Sequence, residues 1–250
     1  MNLQNMNQYI RSIKLERNKV LSFSEYPFYI PAICNLEELS FHPNVTFIVG
    51  ENGTGKSTIL EAIAVAYGFN AEGGTKNFNF SSKETHSELH EYIKIVKGAN
   101  SPKDGFFLRA ESFYNLATNI EELDKAIGGT KIINSYGGQS LHEQSHGESF
   151  LSLFINRFGG KGVYILDEPE AALSPTRQMT MISRIHELVN QESQFIISTH
   201  SPILMSYPNS IIYEIKEGFK LVKYEETEHY QVMKSFMNNK QKMLDILLDI

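Results

Sequence analysis

The segment Gly50–Thr58, GENGTGKST, carries the most specific chemistry in the chain. It fits the pattern G-x-x-x-x-G-K-[ST], in which glycines let the backbone wrap close enough for N–H groups to meet phosphate oxygens. Gly50, Gly53 and Gly55 supply that freedom, with Asn52 and Thr54 between them. An apolar run precedes the loop and a helical pattern follows it, so the positive end of a helix adds to the cradle. Lys56 brings a mobile point charge to β- and γ-phosphates. Ser57 offers a hydroxyl to Mg²⁺, and Thr58 completes the motif.

A second constellation follows. VYILDEPE, Val163–Glu170, reads as a buried strand ending in adjacent carboxylates. Such a pair repels itself unless a cation shares the site, although alone it also serves as a helix N-terminal cap. The glycine-rich loop upstream favours the cation: Asp167 on Mg²⁺, directly or through water, and Glu168 on the attacking water. Ser145–Ser149, SHGES, precedes an apolar helical stripe and by itself is an ordinary N-cap. His200, in FIISTHSP, draws its weight from its position 33 residues past Asp167. Glu111, in FFLRAESF, follows a predicted strand and serves equally as a metal or water ligand or as a surface acid. Tyr26, Phe28 and Tyr29 lie at a suitable distance upstream of Lys56 to stack on an adenine, and they also suit a core cluster.

The positioning elements alternate. Val45–Val49, Val163–Leu166 and Phe195–Ile197 are short β-branched runs typical of buried parallel strands. Between them lie helical stripes: Ile59, Leu60, Ile63 and Ala64, stopped by Gly68; Phe150, Leu151, Phe154 and Phe158, closed by Gly159–Gly160; and Thr176–Leu188. This predicts an α/β fold with a mostly parallel core sheet. Residues 1–44 predict an antiparallel β portion, 69–104 a mobile excursion and 112–142 a short helical insertion. Ile211–Tyr224 predicts a hairpin around Glu217-Gly218, and Tyr230–Ile250 an amphipathic helix.

Composition bounds the rest. The 250 residues are 41% hydrophobic and 21% charged, which fits a globular core. With 23 basic against 29 acidic side chains, the charge of −6 disfavours a general nucleic-acid footprint but leaves room for a local basic stripe. The single Cys34 rules out an internal disulfide and a cysteine-rich zinc site, as expected in a reducing compartment. MNLQNMNQYI has no signal-peptide core, and no apolar run reaches the 18 or so residues of a membrane span. The expectation is a cytoplasmic chain without direct membrane insertion.

In order and rough spacing, Gly50–Thr58, Ser145–Ser149, Asp167–Pro169 and His200 together resemble the ABC-type ATPases. Ser145-His146-Gly147-Glu148 is similar to the LSGGQ signature, 22 residues before Asp167, with Gln144 for the leading Leu and His146 for the first Gly. The resemblance implies that Ser145 and Gly147 cap the γ-phosphate of an opposite protomer and that His200 contacts the same phosphate. It implies that Ala171–Ser174 crosses a dimer interface and that Glu111 stands nearest the Q-loop glutamine. ENGTGKS and DEPEAALSP look more like the soluble SMC, RecF and overcoming-lysogenization-defect ATPases, and like small stand-alone ATPases, than like transporter subunits. The implied architecture is one P-loop ATPase domain, 1–250, with a signature lobe near 105–150 and a C-terminal helix near 225–250. The implied activity is ATP hydrolysis in an ATP-dependent homodimer that drives a protein or nucleic-acid partner. The alternative is the nucleotide-binding subunit of an ABC transporter.

Overall fold

The computed structural model describes residues 8–76, 87–110, 113, 118, 124, 133–134, 138 and 146–249. Two sheets organise them. β1 (Ile10–Leu15), β2 (Glu38–Ser40) and β4 (Ile93–Lys97) form an antiparallel sheet in the order β2-β1-β4. The larger sheet runs β5-β6-β7-β3-β8-β9, from β5 (Asp104–Arg109), β6 (Gly162–Asp167), β7 (Gln194–Ser198), β3 (Val45–Gly50), β8 (Ser210–Ile215) and β9 (Phe219–Val222). Its first five strands are parallel, and β9 returns antiparallel to β8 as the expected hairpin.

Every residue of β3, β6 and β7 is buried. Strand periodicity of two explains how one sheet feeds two cores. Val45, Phe47 and Val49 of β3, Tyr164 and Leu166 of β6, and Phe195 and Ile197 of β7 face one cluster. Ile48, Val163, Ile165 and Ile196 face the other. Two helices cover the first face: α2 (His146–Asn156) with Phe150, Leu153 and Phe154, and α3 (Pro175–Asn190) with Met181, Ile185 and Leu188. The second face receives α1 (Lys56–Tyr67) through Ile59, Leu60 and Ile63, together with the antiparallel sheet through Ile13, Leu15 and Leu39. Gly68 stops α1 in a left-handed conformation, φ 102°, as expected.

Two segments differ from expectation. Residues 87–97, within the expected excursion, are ordered into a short 3₁₀ helix and β4. β4 alternates weakly, but pairing with β1 from Ile10↔Lys97 to Leu15↔Ile93 fixes it as a strand. The C-terminal stretch forms two helices, α4 (Glu228–Asn238) and α5 (Lys240–Leu248), because Asn239 leaves helical geometry at φ −133°, ψ 39°. Neither helix has a buried residue. The expected insertion at 112–142 lies largely outside the described residues, as do residues 77–86. Among the described residues, no helix is long and apolar enough to cross a membrane.

Candidate nucleotide-binding site

The C-terminal ends of the parallel strands meet at one edge of the sheet, where α/β folds place their ligands. β3 ends at Gly50, β5 at Arg109, β6 at Asp167 and β7 at Ser198. After β3 the chain turns through Gly53 (φ 79°) and Gly55 (φ 96°) into α1. A side chain at Gly50 would stand 2.9 Å from the carbonyl oxygen of Ile215, so the loop must hug β8 there. No side chain caps α1. Its N-terminus, which begins at Lys56, Ser57 and Thr58, therefore retains the open character that suits an anion.

Lys56 is only 4% exposed and folds back onto the loop, its Nζ donating to the carbonyls of Gly50 and Glu51 at 2.9 Å each. Burial lowers its pKa, and the opposite charges of Glu168, Asp167 and Glu170 act against that shift. Ser57 Oγ donates to Asp167 Oδ1 at 3.2 Å, and Ser198 Oγ donates to the same oxygen at 2.5 Å. Arg109 Nε lies 3.8 Å from Asp167 Oδ2, while its Nη1 pairs with Glu61 at 2.7 Å. Burial raises the pKa of Asp167 despite these donors and the guanidinium. The Ser57 hydroxyl and this desolvated carboxylate are hard oxygen donors held side by side, and they fit Mg²⁺, which takes few protein ligands and completes its shell with phosphates and water. No larger group of metal-ligating side chains occurs among the described residues.

Glu168 sits in the left-handed region, φ 49°, ψ 51°, held by its N–H to the carbonyl and hydroxyl oxygens of Ser198 at 3.1 Å each. That turn separates it from Asp167: Glu168 Oε1 lies 3.2 Å from His200 Nε2 and 4.0 Å from Lys56 Nζ. The His200 N–H donates to Glu170 Oε1 at 2.5 Å. Burial also raises the pKa of Glu170. On the far side of His200, Nδ1 lies 2.8 Å from Nε2 of His229, the second residue of α4.

Lys56, Ser57, Asp167, Glu168 and His200 are therefore brought together. Ser145 and Glu111 lie outside the described residues. Gly147 is described and has an internal reason to be glycine: a side chain there would stand 2.7 Å from the carbonyl oxygen of Ala172 and collide with the Arg177 guanidinium. Of the aromatic trio, Phe28 is core at 3% exposure, whereas Tyr26 and Tyr29 are exposed at 54% and 57%. Tyr26 Oη lies 3.4 Å from Thr58 Oγ1 at the start of α1. Ser198, Arg109, Glu170 and His229 escaped the sequence reading. Ser198 had a signal, being a polar residue at the end of a buried run, and so did Glu170, which closes the VYILDEPE segment, but Arg109 and His229 reach the site only through strand order and helix packing.

A family model described as an AAA domain matches residues 14–245. The chain belongs to this AAA-domain family. It is an ABC-type P-loop ATPase, and its relatives span both branches of that class. It is 26% identical over 248 residues to the phosphate import ATP-binding protein PstB 1 of Streptococcus agalactiae, covering 84% of this chain and 96% of that protein. To the chromosome partition protein Smc of Methanocaldococcus jannaschii it is 28% identical over 148 residues, covering 50% of this chain and 12% of the relative. To the ABC transporter G family member STR2 of Medicago truncatula it is 24% identical over 172 residues, covering 63% of this chain and 24% of the relative. The ABC-type ATPase chain thus spans a small part of the last two. A solved nucleotide-free ATP-binding cassette from an ABC transporter superposes with a TM-score of 0.48 at 18% identity, covering 86% of this chain and 90% of that one.

Proposed function

We propose that the chain hydrolyses ATP in a site completed by a second copy of itself, and passes the closing and opening of that pair to a protein or nucleic-acid partner. The observation that carries the hydrolytic part of this reading is the convergence of Glu168 and His200, 3.2 Å apart, beside the loop that holds Lys56, while the second copy rests on the resemblance of Ser145–Glu148 to the LSGGQ signature. In this reading Lys56 leaves its two carbonyl contacts for the β- and γ-phosphates. Ser57 and Asp167 hold Mg²⁺, which when bound supplies charge neutralisation on the phosphate oxygens. Glu168 orients and polarises the water, and His200 donates to the γ-phosphate. Ser145 and Gly147 serve the nucleotide of the opposite copy.

Mixing tests the shared site. Ser145→Arg should bind ATP as a monomer yet fail to hydrolyse it, and Lys56→Ala should fail to bind. The two combined should regain up to one working site per pair, because each damages a different site. A mixture no more active than its parents overturns the shared site.

The second reading is a transporter's nucleotide-binding subunit. Its support is the likeness to PstB 1 across 96% of that protein. A membrane-spanning protein co-purifying with the chain from its native cell would favour it over the switch.

A further inference from the structure

His229 belongs to α4, far from every motif in the sequence, yet its ring packs against His200 with centroids 5.0 Å apart. Its Nε2 lies 2.8 Å from His200 Nδ1, and its own Nδ1 is buried without a hydrogen-bond partner. His200 Nε2 lies 3.2 Å from Glu168 Oε1. The three side chains form one line, so the proton positions along it are linked.

Only one order of protons satisfies the line with neutral rings. A neutral imidazole has one N–H donor and one acceptor nitrogen. Suppose His200 carried its proton on Nδ1 and gave it to His229. Its Nε2 lone pair would then face the Glu168 carboxylate, which only accepts. His229 would in turn carry its proton on Nδ1, leaving a buried donor with nothing to receive it. Suppose instead that His229 carries its proton on Nε2. It then donates to His200 Nδ1, His200 donates from Nε2 to Glu168, and the orphan at His229 Nδ1 is a lone pair. The surroundings keep His229 neutral: burial above all, and the nearby Lys56 charge, lower its pKa against the weaker opposing pull of Glu228 and Glu214.

The geometry points to His229 as a positioning residue that fixes His200 in its Nε2–H tautomer, so that seating of α4 sets the proton donor of the hydrolytic site. The inference rests on the roles of Glu168 and His200 proposed above. The seating is local. Fully buried Thr227 caps α4, its Oγ1 accepting from the Tyr230 N–H at 3.4 Å while donating to the Tyr224 carbonyl at 2.8 Å, and the Glu228 N–H donates to Glu214 Oε1 at 2.9 Å. Beyond that first turn α4 turns Val232, Met233 and Met237 outward, at 57%, 52% and 72% exposure. The helix is thus fastened at the end that carries His229 and lightly held elsewhere. A shift of its first turn removes the donor from His200 Nδ1 and frees the ring to exchange tautomers.

Histidine ¹⁵N spectra of the full chain without nucleotide, recorded around pH 8, above the ordinary histidine range, read the tautomer directly. His200 is assigned by the signals missing in His200→Gln. The expected result is His200 protonated on Nε2 in the wild type and a tautomer mixture in His229→Phe. His229→Phe should also keep its ATP affinity while its hydrolysis rate falls roughly tenfold. His229→Gln retains an N–H donor at the same reach and should restore both the tautomer and most of the rate. A wild-type His200 protonated on Nδ1 overturns the inference, as does a His229→Phe protein with unchanged tautomer and rate. The wild-type spectrum decides the matter even where a variant folds poorly. It needs no hydrolysis, so it stands apart from the Glu168→Gln measurement, which tests the hydrolytic reading itself.

Discussion

Ser57 Oγ donates to Asp167 Oδ1 across 3.2 Å, joining two residues 110 apart in the sequence. The contact closes a loop after β3 onto the end of β6, two strands away, with Ser198 of the intervening β7 donating to the same oxygen. Asp167→Ala removes the shared acceptor and the carboxylate that suits Mg²⁺. Calorimetry should show Mg·ATP affinity falling roughly tenfold or more, with hydrolysis lost alongside it. Retained affinity would remove Asp167 from the metal site.

Lys56→Ala should weaken ATP binding by roughly tenfold or more, since no other cation contacts the loop carbonyls of Gly50 and Glu51 among the described residues. Calorimetry with Mg²⁺ checks it, and equal affinity would sink the phosphate-loop assignment.

Glu168→Gln keeps the shape of the side chain and removes its charge. ATP should still bind while hydrolysis falls by a factor on the order of 10² to 10⁴. The closed pair should then accumulate with Mg·ATP, read by size-exclusion chromatography with light scattering. A variant that binds, cannot hydrolyse and stays monomeric would overturn the two-copy site and leave the loop chemistry standing.

Glu61 is buried at 6% exposure, accepting from Ser87 N–H at 3.0 Å and from Arg109 Nη1 at 2.7 Å. Glu61→Ala removes one acceptor from the buried Ser87 amide and one from the Arg109 guanidinium at once. It should cost about 3 kcal/mol of stability, measured by urea unfolding, and loosen Arg109 beside Asp167. A loss below about 0.5 kcal/mol would show that water replaces the carboxylate.

Asp104 sets a pH dependence remote from the nucleotide. Burial pushes its pKa up, but the Gly159 N–H at 3.0 Å, Arg157 at 3.0 Å and the Tyr164 hydroxyl at 2.8 Å outweigh it. The folded value therefore lies below the ordinary 3.8. A depressed carboxylate contributes stability that is present above 3.8 and lost as the pH falls through the folded value. Asp104→Asn should be less stable than wild type at neutral pH, and the gap should close in acid. A gap independent of pH, by urea titration, would assign the effect to packing instead.

The sequence by itself determined the chemistry that is local. Gly50–Thr58 needs one loop and the helix that follows it, so residue type and spacing suffice to read it. The same holds for the apolar runs of β3, β6 and β7, whose burial on both faces leaves an unbroken hydrophobic signature, and for α1 with its stop at Gly68. Pairing decided what those signals could not. β4 became a strand because β1 offered it a partner, although its own pattern is weak. Asp167 and Glu168 were read as a pair with separate roles, but how each side chain is aimed came from the left-handed turn at Glu168, which points one carboxylate at Ser57 and the other at His200. Strand order brought Arg109 and Ser198 to Asp167, and the seating of α4 brought His229 to His200. No local pattern encodes such contacts, because the free energy that makes them comes from burying both sheet faces at once, and their residues meet only when every strand is in register.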